Sequence, residues 1–216
     1  MKTKTKALLA LLPLVAFPSI ASSSGWDSFW SAIGETLPAS VSDSDEGYFS
    51  KTWDGLKTIM RDGNTGLLVP AYTIHPAWDY PNRRQENGYT WGGGISSNYI
   101  DARGNRRILY AMAFSDSHNI IEPFMGYAWL ARWKLGASPL HLETGYTLGL
   151  TARADYRWVP IPAPLPLLGV GTDNLTFYGT YVPGANIFFF FGNLVFSDKS
   201  FSNSELPEES RFNNRV

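Results

Sequence analysis

Two periodicities divide the chain. From Tyr48 to about Arg61 the apolar residues Phe49, Trp53, Leu56 and Met60 fall at i, i+4, i+7 and i+11, with Lys51, Asp54 and Lys57 elsewhere around the wheel, which predicts an amphipathic helix. Trp26, Phe29, Trp30 and Ile33 carry a weaker first copy of the spacing, and the acidic loop Ser42 to Glu46 follows. After Gly66 the period becomes two. Leu140, Leu142, Thr144, Tyr146, Leu148 and Leu150 alternate with His141, Glu143, Gly145, Thr147, Gly149 and Thr151, a pattern that no helix produces. Eight such runs can be marked: Leu67–Ile74, Trp91–Asp101, Arg106–Ser115, Ile120–Leu135, Pro139–Arg153, Val159–Thr172, Asn174–Val182 and Asn186–Phe196. Many are about ten residues long, enough for a tilted strand to cross a bilayer, and their number is even.

Eight alternating strands make either of two barrels. A soluble, lipocalin-like barrel turns its large apolar residues inward, whereas a membrane barrel wears them outside between aromatic girdles. Alternation by itself does not assign inside from outside. Tyr99, Trp129, Trp133, Tyr146, Trp158, Tyr178 and Tyr181 lie at or near strand ends, as a girdle requires. The run Ile187-Phe188-Phe189-Phe190-Phe191 and the near-terminal Phe196 also favour the membrane form. The fold expected is all-β: an eight-stranded antiparallel transmembrane barrel preceded by an N-terminal amphipathic helix.

The first residues strengthen that choice. Lys2, Lys4 and Lys6 precede the apolar stretch Ala7 to Phe17 and the small-x-small site Ser19-Ile20-Ala21, the pattern of a cleaved signal peptide over residues 1–21. A polar and aromatic extension, 22–47, precedes the helix and barrel of 48–196, and a polar tail covers 197–216. At 44% hydrophobic and 15% aromatic the chain is too apolar for disorder. Its net charge of -1 offers no basic face for nucleic acid. The absence of cysteine removes disulfides and thiolate chemistry. No metal cluster or nucleotide motif is present, since Gly92-Gly93-Gly94 opens a strand rather than a helix; no cofactor is expected.

Strand parity gathers the candidate chemistry. In an up-and-down barrel the odd strands finish on one rim, which joins His75 after the first strand, Asp116 and Ser117 after the third, Arg153 at the end of the fifth and Pro183 after the seventh. With the helix at the opposite, periplasmic end, that rim faces outward. Imidazole can take the proton of a serine hydroxyl as it attacks an ester, and a carboxylate can orient or stabilise the imidazolium. Each residue alone also fits an ordinary turn or girdle position, and His118 is a further candidate base. Pro160, Pro162, Pro164 and Pro166 fall at every second position, so one ladder loses its donors. Either this is a polyproline loop, or it opens the wall sideways to lipid, a route useful only to a substrate already in the bilayer.

From about Tyr48 to Phe196 the chain resembles the lipid A palmitoyltransferases of the PagP type. The resemblance is carried by Leu68-Val69-Pro70-Ala71-Tyr72-Thr73-Ile74-His75, Trp91-Gly92-Gly93-Gly94, Leu109 through Ser117, Glu122-Pro123, Gly149-Leu150-Thr151-Ala152-Arg153, Pro160-Ile161-Pro162 with Leu165-Pro166-Leu167, and Tyr181-Val182-Pro183-Gly184. It implies a monomeric outer-membrane enzyme that moves a palmitoyl or similar chain from a glycerophospholipid to lipid A in the outer leaflet. His75, Asp116 and Ser117 match the family's required positions and Arg153 a supporting one. Pro166 and Pro183 match prolines flanking one lateral gap, and Pro70 a second. Where the family has a proline before Trp-Gly-Gly-Gly this chain has Thr90. Where it has a glycine at the floor of the acyl pocket this chain has Ala128, on the same face as Gly126, and the added methyl implies a shorter well, with a donor chain somewhat shorter than palmitoyl or a poorer discrimination of length. A non-catalytic structural or adhesive barrel, and a secreted lipid-binding barrel, are the competing readings.

Overall fold

Each of the eight alternating runs is a strand, and the strands close on themselves. The computed structural model describes residues 23–76, 88–115, 119–153, 157–183 and 185–196. Two helices come first, α1 (Ser23–Thr36) and α2 (Tyr48–Asp62), separated by a 3-10 turn at Pro38–Val41. Then follow β1 (Asn64–Ile74), β2 (Gly92–Ile100), β3 (Arg106–Ser115), β4 (Ile121–Lys134), β5 (His141–Ala152), β6 (Pro160–Gly171), β7 (Leu175–Val182) and β8 (Ile187–Val195). All neighbours are antiparallel, and β1 pairs with β8 from Gly66↔Val195 to Ile74↔Phe188, which closes the barrel. The expected signal peptide and the tail 197–216 lie outside the described residues.

The large apolar side chains face outward, which decides between the two barrels. Val69, Ile95, Met125, Leu148, Leu150, Leu168, Val170 and Phe177 are all exposed, a surface that only lipid would tolerate. Inside, the wall divides into two storeys. Near the helix-bearing end it is polar: Asn98, Asn193 and Ser96 bond one another at 2.7–3.0 Å, and Arg106, Glu143 and Arg132 form an ionic group. Towards the other rim it is apolar and aromatic. Gly66 is required by this packing, because a Cβ there would stand 2.5 Å from Ser96 Oγ and 2.7 Å from Asn193 Oδ1.

Two sequence expectations need correcting. Strand β1 begins at Asn64, three residues before the expected Leu67, because Asn64 and Gly66 face the polar storey and break no apolar alternation by doing so. Tyr178 is not a girdle residue. It points into the barrel, is 1% exposed, and donates its hydroxyl to Glu143 Oε2 at 2.6 Å.

The helices lie against the outside of the polar end. In α2 the small face packs: Gly55 touches Pro38, where a Cβ would stand 1.8 Å from the carbonyl oxygen, and Ser97 Oγ on β2 donates to the Ile59 carbonyl at 2.7 Å. Its apolar stripe, Phe49, Trp53 and Met60, is left exposed, as in a helix lying in a membrane interface. The end of α1 docks on an outward arginine. Arg107 donates to the carbonyls of Glu35 at 2.7 Å and Leu37 at 3.0 Å and to the Tyr127 hydroxyl at 3.0 Å, while its Nε pairs with Asp101 at 2.9 Å. Tyr127 in turn donates to the Thr36 carbonyl at 2.6 Å, and Tyr146 and Thr36 share a hydroxyl bond of the same length. The unpaired carbonyls that end a helix thus meet a cation standing on the barrel wall. Beside them the Arg103 guanidinium holds the exposed Glu35 carboxyl below its ordinary pKa, by hydrogen bond and by charge.

Arg107 and Asp101 are both nearly inaccessible, so removing one leaves the other charge buried. Arg107→Ala is expected to lower the stability of the detergent-folded barrel by about 3 kcal/mol, read from the urea unfolding midpoint. Arg103→Ala breaks only the exposed pair with Glu35 and should leave that midpoint where it is.

Candidate active site

The rim away from the helices collects the ends of β1, β3, β5 and β7. His75 follows β1 and is half-buried, Arg153 follows β5, and Pro183 follows β7, so these three sequence-distant positions share one end of the molecule. Asp116, Ser117 and His118 lie outside the described residues. Their flanks are placed. Ser115 closes β3, is fully buried, accepts a bond from the Trp91 amide on its Oγ at 3.1 Å and donates its own amide to the Trp91 carbonyl at 2.8 Å. On the other side Asn119 has φ 61°, the left-handed backbone of a tight turn. The β3–β4 turn therefore begins and ends on the same rim as His75.

Glu122, quoted above only as part of a motif, has a partner role in the structure. It opens β4 opposite Phe114, accepts a 2.6 Å bond from Thr151 Oγ1, and faces Arg153 Nε at 3.6 Å. Both charged side chains are largely buried. Arg153 is thereby held at the end of β5, over the interior.

Below this rim the interior holds an apolar cavity, with about 430 Å³ of empty volume when its open mouth is counted, lined by Leu68, Ile108, Met112, Phe124, Leu167 and Phe189 among others. Ala128 lines its lower part and is 1% exposed. Gly126 stands one inward position nearer the rim, where a Cβ would meet the Leu148 carbonyl at 2.4 Å and the Tyr110 hydroxyl at 2.9 Å. That hydroxyl is bonded to Thr147 Oγ1 at 2.6 Å, and Thr147 donates to the Tyr127 carbonyl at 3.0 Å. Even the few polar atoms of the lining are thus satisfied, and what remains suits a hydrocarbon.

The wall beside the cavity is unpaired at two seams. Strand β6 pairs with β5 over its whole length, but with β7 only from Leu167↔Thr180 to Gly171↔Thr176. Prolines 160, 162, 164 and 166 occupy the unpaired half. Their missing amides face β7, as the Pro166 carbonyl shows by accepting from Thr180 Oγ1 at 2.6 Å, since the amide and carbonyl of one strand residue point the same way. The polyproline-loop alternative is thus replaced by a true strand with one bare edge. Leu167 and Thr180, the last rung of that ladder, also line the cavity. At the second seam β1 and β2 pair from Asn64↔Asn98 to Leu68↔Gly94 and, among the described residues, meet again at Tyr72↔Tyr89 and through the Thr73 amide to the Gly88 carbonyl. Pro70 lies in the gap, beside a register shift against β8. Thr90, which stands where the family's proline is expected, is buried there.

Sequence reasoning did not single out Glu122, Arg106, Arg132, Glu143 or Arg107. The signal for the inward group was available, since strand parity puts Arg106, Arg132 and Glu143 on the faces that carry Ile108, Ala128 and Thr147.

The family described as "Antimicrobial peptide resistance and lipid A acylation protein PagP" matches residues 55–197. Among similar curated proteins, one from Laribacter hongkongensis (strain HLHK9), named lipid A acyltransferase PagP, is 40% identical over 142 residues, 65% of this chain and 68% of its own. One of the same name from Klebsiella pneumoniae subsp. pneumoniae is 36% identical over 175 residues, 77% of this chain and 93% of its own. The Escherichia coli O157:H7 protein, named lipid A palmitoyltransferase PagP, is 41% identical over 141 residues, 62% of this chain and 76% of its own. With its closed eight-stranded wall, its apolar well and two thirds of its length matched, the chain belongs to the PagP family of lipid A acylation proteins.

Proposed function

We propose that the protein, a lipid A acyltransferase by family, works as a monomer in the outer membrane and takes a palmitoyl or similar chain from a glycerophospholipid. The observation that carries this reading is the meeting of the apolar cavity with the bare edge of β6: Leu167 and Thr180, the last paired rung beside that edge, line the cavity. An acyl tail can pass from the bilayer into the well without leaving hydrocarbon, and a water-soluble substrate gains nothing from such a seam. Pro166 and Pro183 flank this route, and Pro70 lies beside the second.

On the rim above, we assign the chemistry to His75, Asp116 and Ser117. The His75 imidazole takes the Ser117 proton as the hydroxyl attacks the donor ester, and returns it to the departing glycerol oxygen. A lipid A hydroxyl then receives the acyl group by the same cycle in reverse, and the Asp116 carboxylate stabilises the imidazolium. Arg153, held by Glu122, supports the site with a fixed positive charge at the end of β5.

Expression in a host lacking this activity should add one acyl chain to lipid A, seen by mass spectrometry. Ser117→Ala and His75→Ala should each lower the transfer by at least about a hundredfold while the barrel still folds. An unchanged lipid A profile with the parent protein would instead leave a structural barrel.

Ala128 shortens the well by a methyl group relative to glycine. The parent should therefore favour chains somewhat shorter than palmitoyl, and Ala128→Gly should lengthen the preferred chain by about one or two methylenes, a discrimination worth about 1–3 kcal/mol. Strict sixteen-carbon transfer by the parent would reject this role for Ala128.

A further inference from the structure

The cavity ends against a lock built from this chain's own charged residues. Its lowest lining side chains, Ile108, Ala128 and Leu167, pack on Leu130 and Tyr178. The Tyr178 ring lies over Gly169, where a Cβ would stand 2.4 Å from it, and against Phe191 at 5.4 Å between centroids. Its hydroxyl donates to Glu143 Oε2 at 2.6 Å. The other Glu143 oxygen faces Arg132 Nε at 3.0 Å and Arg106 Nε at 3.1 Å, and Arg132 also bonds Asp173. Arg106 and Glu143 are each 1% exposed.

We infer that Tyr178, clamped on Glu143 and its two arginines, sets the depth of the acyl well and is a specificity-determining residue for chain length. This rests on the reading above, that the cavity takes the acyl chain. An apolar floor made only of aliphatic side chains can give way to one more methylene, because rotamers shift at modest cost. Tyr178 has no such freedom. Gly169 and Phe191 confine its ring, and its hydroxyl is tied to a carboxylate that two cations hold in place. Beneath it lie Arg106 and Glu143, each 1% exposed, and a methylene pushed to that depth would have to separate two desolvated charges. Ala128 lines the cavity itself, whereas Tyr178 packs behind Ile108, Ala128 and Leu167 and limits how far that floor can give way.

The test uses Tyr178→Ala, Tyr178→Leu and Tyr178→Phe in the full chain, read in two ways. Mass spectrometry of lipid A gives the lengths transferred when the host offers mixed phospholipids. Native mass spectrometry of the purified barrel, equilibrated with an equimolar series of lysophosphatidylcholines from dodecanoyl to octadecanoyl, gives the lengths retained without any reaction. Tyr178→Ala and Tyr178→Leu should move both distributions to longer chains, by about two methylenes or more for alanine. Tyr178→Phe keeps the ring and loses the clamp, so its distribution should broaden around the parent's most abundant length. Folded Ala and Leu variants with the parent's distribution would overturn the proposal, and the Leu variant alone decides if the Ala variant does not fold. A parent that retains chains by length but transfers none would defeat the acyl-transfer reading and leave the depth assignment standing. A parent that retains no chain defeats both.

Discussion

A polypeptide in hydrocarbon has nowhere to put an unpaired amide, so closure of the hydrogen-bond ladder is the condition on which the rest of this structure depends. Pairing of β1 with β8 meets it. Once the wall is closed, parity follows without further instruction: alternate residues face lipid, alternate turns share a rim, and residues far apart in sequence arrive at one mouth. The two unpaired stretches stand out because everything around them is paired. In β6 the loss is written into the chemistry of proline, which has no amide hydrogen to strand. A residue with a free N–H in that row would be an unsatisfied donor in lipid, whereas proline leaves only carbonyls exposed. The wall is thus left unpaired where doing so is least costly.

The interior shows the same economy. Eight strands enclose a space that side chains can nearly fill, and this chain fills one storey with paired polar groups and leaves the other lined by hydrocarbon and rings. The ionic group of Arg106, Arg132, Glu143 and Asp173 is balanced in formal charge and tied across β3, β4, β5 and the β6–β7 turn. It cross-links four elements of the wall beneath the apolar storey. Buried ion pairs are poor contributors to stability. Here the gain lies in position: a well of defined depth needs a bottom that does not deform.

Much of this was legible in the residues. Period-two alternation located all eight strands, and a 3.6-residue stripe located α2, because both patterns report a local geometry that recurs along the chain. The proline row announced its seam by spacing alone. Boundaries failed where the inward face turned polar, as at Asn64 and Gly66, since alternation of polar with polar gives no contrast. Tyr178 was misread as a girdle tyrosine for a related reason. An inward tyrosine in a polar storey and an outward tyrosine at an interface look alike until the partner, Glu143 on another strand, is in view. The site was legible only in part. Parity gathers His75, Arg153 and Pro183 on one rim, and the structure places them there, whereas Asp116 and Ser117 rest on the family motif and on the placement of Ser115 and Asn119 beside them.

The docking of α1 on Arg107 has a consequence for how such a sequence can change over time. The guanidinium on the outer wall is covered jointly by Asp101, Tyr127 and the helix-end carbonyls, and those carbonyls find no comparable cation elsewhere on the described wall. Neither half is therefore useful alone. Loss of α1 would uncover part of the arginine, and loss of the arginine would strand the carbonyls that end α1, so selection acts on the pair as a unit.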